Sequence, residues 1–173
     1  MERFGYIRAN SIDEAVTLLN EPGLKSRALA GSTDILLQLR HDPHYCGRLV
    51  DISQLPELHS IEQRNGWVTI GASASFSEVM HHPLINSTAP VLAQACHTVG
   101  AVQIRNMGTL GGNVINAAAC ADSLPALICL DAVARFITPD GEQTMQVRQL
   151  VIRPNRTLLP AGGLLISLSY PIP

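Results

Sequence analysis

Charge is scarce in this chain: 15% of its 173 residues are Asp, Glu, Lys or Arg, and the formal net charge is −2. No run of Lys or Arg occurs. Nucleic acid and anionic membrane surfaces are therefore poor partners. Aromatic residues make up only 4%, so the core must be aliphatic. No apolar stretch reaches the ~18 residues of a membrane span. The opening MERFGYIRAN lacks the apolar segment of a secretory signal. Cys46, Cys96, Cys120 and Cys129 form no C-x-x-C pair. They read as small hydrophobes in a reducing cytosol, so a cytoplasmic location is expected. A metal or cluster site using Cys120 and Cys129 is the weaker alternative, because their spacing carries no strong signal. His41, His44, His59, His81, His82 and His97 lack partners at zinc spacing, and no metal ligands are assigned. G-x-x-x-x-G-K-[ST], G-x-G-x-x-G and G-x-S-x-G are all missing. That weighs against a P-loop ATPase, a Rossmann dinucleotide site and a serine hydrolase. No catalytic residue is assigned.

What is present is a hydrophobic fraction of 46%, ample for a globular core. Residues 1–55 alternate strand, helix, strand, loop, helix, strand, which predicts a small β-α-β lobe with a parallel sheet. Ser11 with Glu14 suggests a capping box, and Ile12, Ala15, Val16 and Leu19 follow at helical spacing. Residues 56–173 change grammar. Asn65-Gly66 signals a tight hairpin, pairing Ile61 with Ile70 and Arg64 with Trp67, the latter as a cation–π pair. Ser75 with Glu78 suggests a second capping box. A helix is expected from Thr88 to about Thr98, with Val91, Leu92 and Ala95 inward. Asp122 reads as an N-cap, with Leu124, Leu127 and Ile128 lining the next helix. Strands at Ala132–Thr138, Gln143–Val147 and Leu164–Tyr170 complete a larger lobe with mainly antiparallel pairing. The fold class is α+β.

Two stretches break the periodic pattern. Ala30-Gly31-Ser32-Thr33-Asp34 lies between a strand and a helix. Such a turn exposes the unpaired N–H groups of the first helical turn, which together with the dipole attract an anion. An ordinary capped helix is the other reading. The second stretch, residues 104–113, holds Gly108, Gly111 and Gly112. Glycines so close together mark positive φ or close backbone approach. A nest of N–H groups is one reading, and a bulge or loop crossing is the other. Two loops on two lobes would suit the pyrophosphate of one extended ligand such as FAD. On that reading, a Val at Gly111 fills phosphate space and leaves the fold largely intact.

ALAGSTDILLQLR (residues 28–40) and QIRNMGTLGGNVINAAACADS (residues 103–123), in this order, closely resemble the FAD-binding subunits of molybdenum hydroxylases. That family includes the flavin domain of xanthine dehydrogenases and the medium subunit of carbon monoxide dehydrogenases. The resemblance covers essentially the whole chain. It implies the PCMH-type FAD-binding fold. It also implies cofactor contacts from Ala28, Leu29, Ala30, Gly31, Ser32, Thr33, Asp34 and Ile35. A second set would be Thr109, Leu110, Gly111, Gly112, Asn113 and Asp122, with Val99 and Leu165 near the flavin ring. Many members carry a glycine where this chain has Ser32. Arg105 and Asn106 match the pattern with no role assigned. Relatives continue for about a hundred further residues as a C-terminal domain. Here the chain stops at Pro173, so that domain, with its flavin-binding lysine, is expected to be absent.

The same resemblance implies an electron-relay subunit that works only with partners: a molybdopterin-binding large subunit and a [2Fe-2S] small subunit. Electrons would pass from the clusters to FAD, and then to NAD or another acceptor. The competing expectation is a shortened, non-catalytic interaction module of the same fold.

Overall fold

The structure, a computed structural model, describes residues 4–172. The outer limits of the two expected lobes, residues 1 and 173, lie outside the described residues. The N-terminal elements are β1 (Gly5–Arg8), α1 (Ile12–Leu19), β2 (Ser26–Leu29), α2 (Ile35–His41) and β3 (Arg48–Asp51). Their strands form a parallel sheet in the order β1-β3-β2, as the alternation predicts. Val50 in the central strand is fully buried. Ser11 caps α1, its Oγ accepting from the Glu14 N–H at 3.1 Å. The box is offset, however: the Glu14 carboxylate takes the N–H of Asn10, at 2.7 Å, and not that of Ser11.

A 3-10 turn at Pro56–Leu58 leads to the hairpin β4 (Ile61–Arg64) and β5 (Trp67–Gly71). Asn65 and Gly66 take φ of +51° and +78°, as a tight two-residue turn requires. Ile61 pairs with Ile70 and Arg64 with Trp67, the register read from the sequence. The expected cation–π pair does not form there. Among the described residues, Lys25 and Arg27 stack over Tyr45 instead, at 5.7 and 4.2 Å.

Six helices follow: α3 (Phe76–His81), α4 (Pro83–Thr88), α5 (Pro90–Thr98), α6 (Val102–Met107), α7 (Leu110–Asn116) and α8 (Ser123–Cys129). Ser75 and Glu78 form the complete capping box. The helix expected from Thr88 starts at Pro90, because proline fixes the first helical turn and lacks the N–H a continuous helix would need. That start turns Leu92, Ala93 and Cys96 inward and leaves Val91 exposed. In α8, Leu124 and Leu127 are buried, while Ile128 faces solvent. The glycine-rich stretch expected as a loop is mostly helical, forming α6 and α7.

The chain closes with β6 (Val133–Thr138), β7 (Gly141–Gln146), α9 (Val147–Leu150), the short ribbon β8 (Val151–Arg153) and β9 (Arg156–Thr157), and β10 (Leu164–Pro171). The larger sheet is antiparallel in the order β4-β5-β10-β6-β7. Strand β10 ties the lobes together. Leu164 and Ile166 join the core under α1 and β3, while Leu165, Leu168 and Tyr170 join the large core. A bulge between Leu165 and Ser167 shifts the register to β6. Burying a side chain as large as Leu164 or Ile166 in one core and Leu168 in the other contributes about 2 kcal/mol each, so this strand has a stake in both.

Candidate functional site

A cleft of about 750 Å3 runs between the lobes. That is the size of a site for a cofactor rather than for an ion. One wall is the turn from β2 into α2. Ser32 there sits at φ +67°, in the left-handed region, and its Oγ reaches only the Ala30 carbonyl, at 3.4 Å. A glycine next to such a residue is the one expected to take the left-handed conformation. Gly31 instead serves close approach: a Cβ there would come 2.0 Å from the Met107 carbonyl oxygen. Among the described residues, the N–H groups of Gly31, Ser32, Thr33, Asp34 and Ile35 donate to no protein acceptor. The first to do so is Leu36, to the Ser32 carbonyl at 3.4 Å. Five consecutive unengaged amides at a helix start form an anion-binding surface. Arg27, stacked on Tyr45, adds a cation to the same wall.

The opposite wall carries the start of α7. Thr109 is its N-cap, its Oγ1 accepting from Gly112 N–H at 3.1 Å. The Leu110 N–H donates to Ala74 O and the Gly111 N–H to Ala72 O, both at 2.9 Å. The amides of Leu110, Gly111, Gly112 and Asn113 are therefore engaged within the protein, and among the described residues this stretch presents no row of open N–H groups. None of Gly108, Gly111 and Gly112 has positive φ. Gly111 is buried against Ala72, where a Cβ would lie 2.5 Å from the carbonyl oxygen. A Val at this position would collide with the Ala72 backbone, so its expected effect falls on the fold, where the sequence reading placed it on the phosphate. Among the residues the second motif brings to the cleft are Gly112, which is exposed, and Asn113, whose Oδ1 accepts from Ser123 Oγ at 2.6 Å.

Of the residues expected at a cofactor, Ala28, Ala30, Gly31, Ser32, Thr33, Asp34, Ile35, Val99, Thr109, Gly111, Gly112, Asn113 and Leu165 line the cleft. Leu29 and Leu110 are buried behind the walls. Asp122 lies off the cleft, exposed at the start of α8, with no side-chain cap bond. Arg105 holds a loop, donating to the carbonyls of Val99 at 3.0 Å and Gly100 at 2.8 Å. Asn106 accepts from Ser77 Oγ at 2.5 Å, tying α6 to α3.

Sequence reasoning missed two parts of the cleft. One is Ser73, which is 2% exposed, with an Oγ that has no partner. Its signal was a polar residue between Ala72 and Ala74 at the end of an apolar strand. The other is the turn Leu159–Gly163. Its signal was the Pro160-x-Gly162-Gly163 spacing; Gly162 takes φ +74° and its carbonyl accepts from Asn20 Nδ2 at 2.9 Å.

Residues 2–173 match the family described as FAD binding domain in molybdopterin dehydrogenase. The chain belongs to that family. Its cofactor is accordingly FAD, and a buried orphan hydroxyl beside a row of open amides fits a polar, anionic ligand of that kind. The chain is 30% identical over 167 residues to the xanthine dehydrogenase FAD-binding subunit of Escherichia coli O157:H7, covering 96% of this chain and 57% of that protein. It is 30% identical over 172 residues to the glyceraldehyde dehydrogenase medium chain of Sulfolobus acidocaldarius, covering 98% and 60%. Among solved structures, carbon monoxide dehydrogenase from Hydrogenophaga pseudoflava superposes with a TM-score of 0.94 at 28% identity. That match covers 98% of this chain and 59% of the other. Quinoline 2-oxidoreductase from Pseudomonas putida 86 gives 0.94 at 27%, with the same coverage. The chain thus spans about three fifths of the length of these relatives. The α+β FAD-binding fold read from sequence is the fold observed.

Proposed function

We propose that this chain holds FAD across the cleft and serves as the electron-relay unit of a molybdenum-containing hydroxylase or dehydrogenase. The carrying observation is the run of open amides from Gly31 to Ile35 on the cleft wall. These N–H groups hold the diphosphate, and Asn113 and Thr109 face it from α7. Val99 and Leu165 provide apolar surface for the flavin ring. Leu29 and Leu110 support the walls from behind. Asp122 would have to reach a part of the ligand that projects beyond the cleft. FAD, when bound, would supply the redox chemistry, accepting electrons from a reduced donor and giving them up to an acceptor. The protein's share is to place the ring, exclude water and tune its potential. No described residue need act as acid or base.

The family description and relatives named as an FAD-binding subunit and a medium chain support partner subunits in general; on this reading the partners are a molybdopterin-binding large subunit and a [2Fe-2S] small subunit, with NAD or another molecule as acceptor. Among the described residues no helix is long and apolar enough to cross a membrane, and no group of three or more His, Cys, Asp or Glu is placed to bind a metal. Titration of the purified chain with FAD tests the reading. A yellow, stoichiometric complex that a reduced iron–sulfur partner bleaches supports it. A colourless chain that refuses added FAD overturns it.

A further inference from the structure

Two hydroxyls of cleft-lining residues, those of Ser26 and Ser73, are buried without a hydrogen-bond partner among the described residues, and Ser73 is the one beside the packing site of Gly111. Ala72 and Ala74 on either side of it point into the large core. Ser73 itself stands in the turn that follows β5, closed by the Ala74 N–H donating to the Gly71 carbonyl at 3.0 Å, and it lines the crevice between the lobes. Its own N–H is satisfied by the Leu58 carbonyl at 2.8 Å, so the backbone has no need of the side chain. The Oγ is buried, with no hydrogen-bond partner. Ala would fill the same space without that cost. Ser73 also adjoins Ala72, the residue on which Gly111 of the second motif packs.

We propose that Ser73 is a positioning residue for the cofactor: its Oγ–H donates to an acceptor oxygen on the diphosphate–ribityl bridge of FAD. The proposal rests on the reading that FAD occupies this cleft. The cofactor thereby removes an unsatisfied hydroxyl that the empty protein carries. Binding is tighter for it, and the bridge is fixed at one depth.

The test uses the full chain and its Ser73→Ala and Ser73→Thr variants. FAD and ADP affinities are measured by calorimetry, and the thermal midpoint is measured without ligand. Ser73→Ala is expected to weaken FAD about 5- to 10-fold, with an unliganded midpoint equal to or above wild type. Ser73→Thr, which keeps the hydroxyl, is expected to recover part of the loss. Equal weakening of ADP assigns the bond to a phosphate oxygen; unchanged ADP assigns it to the ribityl chain. Wild-type FAD affinity in Ser73→Ala overturns the proposal and leaves the cleft assignment standing. A lowered unliganded midpoint also overturns it, by making the hydroxyl structural. Failure of the wild-type chain to bind FAD sinks the cleft assignment first, and this inference with it.

Discussion

The N–H of Gly111 donates to the carbonyl of Ala72 at 2.9 Å, and a Cβ on Gly111 would lie 2.5 Å from that same oxygen. The glycine is there so that α7 can lean on the end of β5. Gly111→Ala is therefore expected to lower unfolding free energy by about 2–4 kcal/mol, as overpacking against backbone does. Urea denaturation of the unliganded protein checks it. A variant of wild-type stability that merely loses FAD would return Gly111 to the role of a phosphate neighbour.

Ser32 holds φ +67° at the turn on the opposite wall. A residue with a Cβ resists that conformation, and its Oγ gains only a long contact with Ala30 O. Ser32→Gly is expected to raise stability by about 0.5–1 kcal/mol, the relief of strain outweighing the added freedom of the unfolded chain. FAD affinity should hold. Ser32→Val should lose both.

Asp51 is buried at the end of β3 and accepts from Tyr6 Oη at 2.5 Å, Ser53 N–H at 2.8 Å and Arg8 Nε at 3.2 Å. Burial pushes its pKa up, but these donors together pull it below the usual carboxylate value. The stabilisation is thus present above the unfolded pKa, about 3.9, and is lost as pH falls through the lower folded value. Tyr6→Phe is expected to cost about 1 kcal/mol at neutral pH. The gap to wild type should close as pH falls through the lowered folded value. Parallel curves at all pH values would mean that Tyr6 acts by packing alone.

Cys46 and Cys96 are buried, whereas Cys120 and Cys129 are exposed. Burial pushes the Cys96 thiol up to about 12 and raises Cys46 as well. Only the thiolate attacks a disulfide reagent. At about pH 8 the native protein should release the equivalents of Cys120 and Cys129 rapidly, and those of Cys46 and Cys96 only on unfolding. Rapid modification of all the cysteines would contradict the packing of α5.

Short-range chemistry was the legible part of this fold. The Asn65-Gly66 turn, the Ser75–Glu78 box and the parallel β-α-β alternation follow from local residues, and each forms as expected. What the sequence hid depends on long-range approach. Gly108, Gly111 and Gly112 looked like a loop because glycine disfavours helices, yet Gly111 and Gly112 lie in α7, and Gly111 lets that helix pack on Ala72. The same contact consumes the amides that seemed free for a ligand. Gly31 and Ser32 exchanged roles for a similar reason: Met107 crowds Gly31 from 76 positions away in sequence, a neighbour no local pattern can reveal. Asp122 matched a motif, but its place off the cleft is set by the packing of α8.

The central claim is that unengaged amides between Gly31 and Ile35 grip the diphosphate of FAD. Amide hydrogen exchange of the chain with and without saturating FAD measures this directly. Residues 31–35 should exchange fast in the free protein and become strongly protected in the complex, with little change at the already bonded amides of Leu110 and Gly111. Bound FAD that leaves exchange at 31–35 untouched would contradict the account.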